Sequence, residues 1–153
     1  MLTTNHKIDI FKKYKRSLRL NKGSVLVEAA FTIPILLGIM FLIIEFGNVL
    51  YLINSLNQIS RSAARYASVT TTYSNQDLIT ASGANNLLPD PSKLTLTITP
   101  TAGSKKSVGT TITVSVSYSY TPIINPFKFF KASDSWAPTI SSSAVARSEV
   151  SSG

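Results

Sequence analysis

Cysteine is absent from the 153 residues of this chain, and histidine occurs only once, at His6. The absence of cysteine excludes a disulfide framework, a thiolate metal site and a cysteine nucleophile. A Ser-His-Asp triad has no histidine to use beyond residue 6, and the sequence has neither a Gly-rich phosphate loop nor metal-ligand spacing. These absences argue against an enzyme, including a membrane-bound hydrolase, and predict no cofactor and no metal.

Charge is scarce beyond the N-terminus, although the formal net charge is +8. Residues 1–23 carry seven basic residues and one acidic residue, a net of +6 (seven minus one). The residues from Ser24 onward carry eight basic and six acidic residues, a net of +2 (eight minus six). Because the excess lies at one end, no nucleic-acid surface is predicted, and the basic cluster is typical of a cytoplasmic flank of a membrane span.

A long apolar run follows the basic cluster. Residues 24–53 contain only two charged side chains, Glu28 and Glu45, and about 20 apolar residues suffice for one crossing of a bilayer. Pro34 within the run predicts a local kink, because proline lacks a backbone N–H. We expect a single membrane span, with the N-terminus in the cytoplasm and the C-terminus on the far side. The alternative is a secretory signal, but its apolar region is normally about 7 to 15 residues long.

The two acids have different explanations. Seventeen residues (45 minus 28) separate Glu28 from Glu45, or about 25 Å along a helix, so that each can lie near one edge of the bilayer core. Depth alone explains Glu45 as a wet interfacial carboxylate. Glu28 is the fifth residue after Gly23, and cleavage there would give Ser24 a free ammonium that can compensate a carboxylate of an adjoining subunit. We therefore predict that residues 1–23 are a cleaved leader.

The helical pattern extends beyond the span, which predicts one helix over about residues 25–68. Its second half is an amphipathic stem that packs on a head domain or on neighbouring subunits. The predicted stripe, interrupted by Ser60, consists of Phe46, Val49, Leu50, Ile53, Leu56, Ala63, Ala64 and Ala67. The β-branched residues 69–72 end the helix.

The pattern over residues 69–153 predicts an extracytoplasmic α+β head. The predicted fold class of the chain is α+β, with a long N-terminal helix and a small antiparallel β-sheet. The expected order is a short helix at 75–84 capped by Ser74 or Asn75, a turn at 89–91, a strand at 94–99, a hairpin connection at 100–109, a strand at 111–120, a loop at 122–138 and a last strand at 139–150. The strands carry faces rich in serine and threonine, which would suit a secreted or anchored surface-binding, adhesin-like module. Such residues are also ordinary on solvent-facing strands.

Several blocks, in order, resemble the TadE-like proteins of the tight-adherence (Flp-type) pilus assembly system, which are pseudopilins. The blocks are Gly23-Ser24-Val25-Leu26-Val27-Glu28, Pro34-Ile35-Leu36-Leu37, Ile43-Ile44-Glu45-Phe46-Gly47, Ala63-Ala64-Arg65-Tyr66-Ala67 and Ser143-Ala144-Val145-Ala146-Arg147-Ser148-Glu149. The match is dense over residues 22–68 and follows only the layout beyond. One departure is Ala29, where related pilins usually place an aromatic residue.

The resemblance implies a pilin-like minor pseudopilin with a structural role in pilus assembly, anchored in a bacterial cytoplasmic (inner) membrane. It implies cleavage after Gly23 by a prepilin peptidase, with Ser24 as the mature N-terminus and Glu28 used in recognition or in pairing with a neighbour's amine. Helix packing would involve Pro34, Glu45, Phe46, Gly47, Arg65 and Tyr66. The implied partners are the peptidase, other pilins and pseudopilins, membrane proteins of pilus assembly and membrane lipid.

Overall fold

The computed structural model describes residues 3–123 and 137–151, with side chains from residue 23 onward. The elements are helix α1 (Thr3–Val69), helix α2 (Asn75–Ala81), helix α3 (Ala84–Leu87), a 3₁₀ turn (Pro91–Lys93) and strands β1 (Leu94–Thr99), β2 (Thr111–Ser119) and β3 (Thr139–Arg147). The predicted α+β class is confirmed. The chain divides into two compact units, residues 1–44 and residues 45–153.

The first unit is the N-terminal part of α1. Its described side chains, from residue 23 to residue 44, are exposed except for the half-buried Ala29, and the helix continues without a break through Pro34. By length and composition, the helical segment Gly23–Val69 is long and apolar enough to cross a membrane. The apolar side chains of this unit are therefore not there to form a core within it, because they are exposed.

Helix α1 starts at Thr3 rather than near residue 25. The predicted start is therefore wrong, and residues 22–28 are part of the helix, whereas the processing signal at these residues stays a prediction. The preceding residues include many lysines, arginines and leucines, which favour helix, and a single glycine costs only about 1 kcal/mol relative to alanine. Gly23 therefore weakens the helix without ending it.

The second unit contains a three-stranded antiparallel sheet in the order β1-β2-β3. Leu96 of β1 is paired with Val116 of β2, and Val114 of β2 with Ala144 of β3. Along β2, apolar side chains are buried at every second position and serine or threonine alternates with them. The predicted strands at 94–99 and 111–120 are confirmed, and among the described strands β1 and β3 lie at the edges of the sheet.

The core of this unit lies between the sheet and the second half of α1. Its buried apolar residues include Leu52, Leu56, Ile59, Ala63, Ala64 and Ala67 from the helix and Ile112, Val114, Val116 and Tyr118 from β2. Four members of the predicted stripe are therefore buried in the core: Leu56, Ala63, Ala64 and Ala67. Phe46, Leu50 and Ile53 are not, since they are 60%, 44% and 38% exposed.

The predicted stripe is therefore rotated relative to the observed one. Ser60, predicted to interrupt it, is 1% exposed. Its hydroxyl lies 3.1 Å from the Asn57 carbonyl oxygen, to which it donates, and 3.2 Å from the Ser142 hydroxyl. A small hydroxyl residue allows the helix to approach β3 closely while its polar atom stays satisfied.

The connections follow local capping rules. Ser74 caps α2, and its hydroxyl accepts from the Asp77 N–H while the Asp77 carboxylate accepts from the Ser74 N–H, which is a capping box. Of the two predicted caps, Ser74 and Asn75, the structure uses Ser74. Strand β3 ends at Arg147 rather than at residue 150. The Ser148 N–H still donates to Thr110, the residue that precedes β2, but the Glu149 N–H donates to the Ser68 carbonyl oxygen of α1. Residues 124–136 of the predicted loop lie outside the described residues.

Candidate processing and assembly sites

The motif Gly23, Ser24 and Glu28 lies on the exposed surface of α1. A Cβ at Gly23 would meet nothing within 4 Å, so that packing in the described chain does not require glycine there. Glu28 makes a hydrogen bond through its backbone: its carbonyl oxygen accepts from the Thr32 hydroxyl at 2.8 Å. Within the described part of the chain, the Glu28 carboxylate has no hydrogen-bond or ion-pair partner.

Other predicted packing residues are also exposed. Pro34, Phe46 and Gly47 lie on the surface of α1, and a Cβ at Gly47 would meet no atom within 4 Å. Small exposed residues allow a second helix backbone to come close in a membrane. Their contacts with another subunit remain a prediction.

Glu45 has a specific partner in its own unit. Its carboxylate accepts from the Tyr120 hydroxyl at 2.5 Å and from the Ile123 N–H at 3.3 Å. Tyr120 directly follows β2 and is 8% exposed. The interpretation of Glu45 as an unengaged, wet carboxylate therefore does not describe this structure, in which Glu45 connects the stem to the end of β2. A contact between residues 75 positions apart leaves no signal in local sequence patterns.

We expect Tyr120 to ionise only at high pH. Burial, the hydrogen bond to Glu45 and the negative charge of Glu45 together raise its pKa to about 12. The pKa of Tyr120 in the folded protein therefore exceeds its ordinary value near 10. The contribution of protonated Tyr120 to the stability of the fold is fully present below pH 10 and is lost as the pH rises towards 12. Glu45→Gln should lower the pKa only in part, since burial is the largest cause.

The measurement is an alkaline titration of tyrosinate absorbance, with Tyr120→Phe subtracted to isolate this residue. A Tyr120 that titrates near its ordinary pKa, or that does not respond to Glu45→Gln, would rule out the contact with Glu45.

Arg65 and Tyr66 diverge although they are adjacent. Tyr66 is half-buried and packs against the core, whereas Arg65 is exposed and borders a surface groove together with Arg61 and Arg147. Tyr66 therefore stabilises the head, and Arg65 is available to a ligand or partner.

Sequence reasoning missed Lys106, which lies in the connection between β1 and β2 and is 4% exposed. Its ammonium donates to the carbonyl oxygen of Ala67 at 2.6 Å and to that of Thr70, and it lies 4.7 Å from the centre of the Tyr73 ring. Burial lowers the pKa of Lys106. A cation at this point satisfies carbonyl groups at the C-terminal end of α1 and complements the helix dipole.

Metal binding in proteins uses several histidine, cysteine or carboxylate side chains that lie close together. In the part of the chain for which side chains are described, no three histidine, aspartate or glutamate residues lie where they could hold a metal ion. The contacts of Glu45 and Lys106 connect the stem to the head, and they belong to structural rather than reactive sites.

These features define a class of protein: an α+β chain with an N-terminal helix long and apolar enough to span a membrane, and a small three-stranded head. The sequence profile of the TadE-like protein family matches residues 23–65, which confirms the resemblance over that segment, less than half of the chain. This match suggests involvement in tight-adherence pilus assembly and association with pilus components. No curated protein and no solved structure matches the chain significantly.

Proposed function

We propose that the chain is a minor pseudopilin, a membrane-anchored structural protein for assembly of a tight-adherence pilus or a related secretion machine. The observation that carries this proposal is the coincidence of three features at one point of α1. The family match begins at Gly23, the carboxylate of Glu28 is exposed, and an uncharged apolar surface follows directly. The protein would act by helix association and head contacts rather than by catalysis.

Processing is the first step of the proposal. A prepilin peptidase at the cytoplasmic face hydrolyses the bond between Gly23 and Ser24 and removes the basic leader. A peptidase must open the helix around this bond, and glycine lowers the cost because it is among the weakest helix formers. This explains glycine at an exposed position where no neighbouring atom requires it.

Assembly is the second step. The new ammonium of Ser24 pairs with the Glu28 carboxylate of an adjoining pilin or pseudopilin, which compensates an acid that is costly beside hydrocarbon. The exposed surface around Pro34, Phe46 and Gly47 packs against neighbouring helices or pilus membrane proteins. Glu45 acts within its own subunit by binding Tyr120, and Tyr66 supports the same unit from the core. The chain is thus anchored in the inner membrane, N-terminus inside, and has no nucleic-acid partner.

Glu28→Ala tests the role of the carboxylate. We expect leader removal or association with a partner pilin to fall about tenfold, because a charge-assisted contact contributes about 1.5 kcal/mol or more. Membrane insertion should be unchanged, since the variant makes the segment more apolar. Leader removal is followed by gel mobility, association by co-purification, and insertion by resistance to alkaline extraction.

Thr32→Ala is the matched control because Thr32 lies one turn further along the same exposed helix and carries no charge. It should behave like the wild type in all three assays. Wild-type processing and wild-type association in Glu28→Ala would reduce Glu28 to an ordinary interfacial residue.

A further inference from the structure

A surface groove lies between the C-terminal part of α1 and strand β3. The helix contributes Arg61, Arg65 and Ser68, and the strand contributes the consecutive residues 144–147. All of these residues belong to the unit 45–153. The groove takes no part in the processing or helix packing proposed above.

The strand side of the groove is a backbone edge. Successive side chains of a strand point to opposite faces, so that a groove bordered by four consecutive residues runs beside the backbone itself. The other edge of β3 is paired with β2, and β3 is the last strand in the order β1-β2-β3. No strand within residues 3–123 and 137–151 pairs with the free edge.

The residues of β3 also lack the side chains that usually protect an edge against strand addition. Edge strands are commonly blocked by proline, by lysine or by an inward-pointing charge. The nine residues of β3 include neither proline nor lysine, and the strand's one charged residue, Arg147, lies at its end and is exposed. A second extended chain can therefore pair with β3.

The opposite wall of the groove is cationic. Arg61 and Arg65 are exposed, and their guanidinium groups make no hydrogen bond or ion pair with any residue that the structure describes. Arg147 uses its Nε to donate to the Gly109 carbonyl oxygen at 3.0 Å. Arg147 belongs to the strand side, as does Glu149, which is the single carboxylate that borders the groove. The groove as a whole therefore has three cations and one anion.

Helix and strand run in the same direction along the groove. Near one end, the Ser142 hydroxyl donates to the Asn57 side-chain oxygen at 2.7 Å, and near the other the Glu149 N–H donates to the Ser68 carbonyl oxygen at 2.8 Å. Arg61 and Arg65 are about 6 Å apart along the helix axis. Same-face residues of a strand, at positions i and i+2, are about 6.7 Å apart, which is nearly the same spacing.

We propose that this groove binds an extended acidic segment of a partner protein. The segment adds as a fourth strand to the free edge of β3 and places alternate carboxylates against Arg61 and Arg65. The backbone hydrogen bonds supply affinity, as in other cases of strand addition. The guanidinium groups supply the preference for carboxylates, which they can bind in a bidentate manner.

The open edge favours a peptide over a phosphate group. An anionic lipid headgroup or a free phosphate would use the arginines but would leave the backbone groups of β3 unpaired. A polypeptide uses both walls at once.

The test measures binding of a labelled nine-residue peptide, the length of β3, with alternating glutamate and threonine, to the full chain in nonionic detergent micelles by fluorescence anisotropy. One comparison peptide carries lysine in place of glutamate. The other carries alternate N-methyl groups, which block pairing with a strand edge. The double variant Arg61→Gln/Arg65→Gln removes the cations, and Lys93→Gln is the control because Lys93 lies outside the groove, 3.8 Å from Asp90.

We expect the glutamate peptide to bind the wild type and the Lys93→Gln variant equally, and the double variant about tenfold or more weakly. The lysine peptide and the N-methylated peptide should not bind measurably. Absence of binding by the glutamate peptide would overturn the proposal, as would undiminished binding of either comparison peptide. Binding to anionic phospholipid vesicles that depends on Arg61 and Arg65, without peptide binding, would assign the groove to lipid instead.

Discussion

Replacement of Lys106 by methionine is expected to lower the free energy of unfolding of the head by about 3 kcal/mol. Methionine keeps an unbranched apolar stem, but it cannot donate to the carbonyl oxygens of Ala67 and Thr70, which Lys106 now satisfies. Hydrogen bonds with a charged partner contribute about 1.5 to 3 kcal/mol each, and the contact of the ammonium with the Tyr73 ring is lost as well. The melting temperature of the full chain in nonionic detergent, followed by near-ultraviolet circular dichroism, should fall by about 12 °C or more.

Lys105→Met is the matched control, because Lys105 is the preceding residue and is exposed. It makes the same chemical change outside the buried site and should shift the melting temperature little. If the two variants lowered the melting temperature equally, the stabilisation would come from positive charge on the connection between β1 and β2. The specific contact of Lys106 with the end of α1 would then be ruled out.

Leu56→Ala is expected to destabilise the head by about 2 to 5 kcal/mol. Leu56 is fully buried in the core between α1 and the sheet, and a large-to-small substitution there loses transfer free energy and leaves a cavity. Thermal melting of the same detergent-solubilised chain measures the effect.

Leu50→Ala makes the same change on the same helix, at a side chain that is 44% exposed. Its effect should be below about 1 kcal/mol. The sequence pattern places both leucines in one stripe, whereas the structure separates them. If Leu56→Ala and Leu50→Ala reduced the stability of the head by similar amounts, the predicted stripe would be supported and the observed packing contradicted.

Strand patterns were the part of the fold that the sequence predicted well. In β2, apolar residues alternate with serine and threonine from Thr111 to Ser119, and burial alternates in the same way. Such a two-sided strand has one core face and one solvent face, so that its period defines its orientation. The cap of α2 was equally local: the sequence left Ser74 and Asn75 open, and the structure uses Ser74.

The orientation of the stem was less predictable. Apolar side chains surround the helix near Phe46, Leu50 and Ile53, because this segment follows directly on an apolar run. When apolar side chains lie all round a helix, their spacing does not show which side of the helix faces the sheet. Ser60 was misplaced for the opposite reason: it is polar by type but buried by position.

The two contacts that connect the stem to the head were beyond sequence reasoning. The Glu45–Tyr120 contact and the contact of Lys106 with the end of α1 join residues that lie 75 and 39 positions apart. Buried lysines are also rare, which makes Lys106 an unusual choice for a core site. By contrast, the pattern at Gly23 and Glu28 is local and could be read from the sequence, and the family profile begins at the same glycine. The role of the two residues stays a prediction.

The most direct measurement of the proposed function is the N-terminal sequence of the protein after coexpression with a prepilin peptidase. The proposal predicts a mature chain that begins at Ser24, which removes a leader of net charge +6 and leaves the anchor in the membrane. A chain that still begins at Met1 in the presence of an active peptidase, or one that begins well beyond the apolar run, would contradict it.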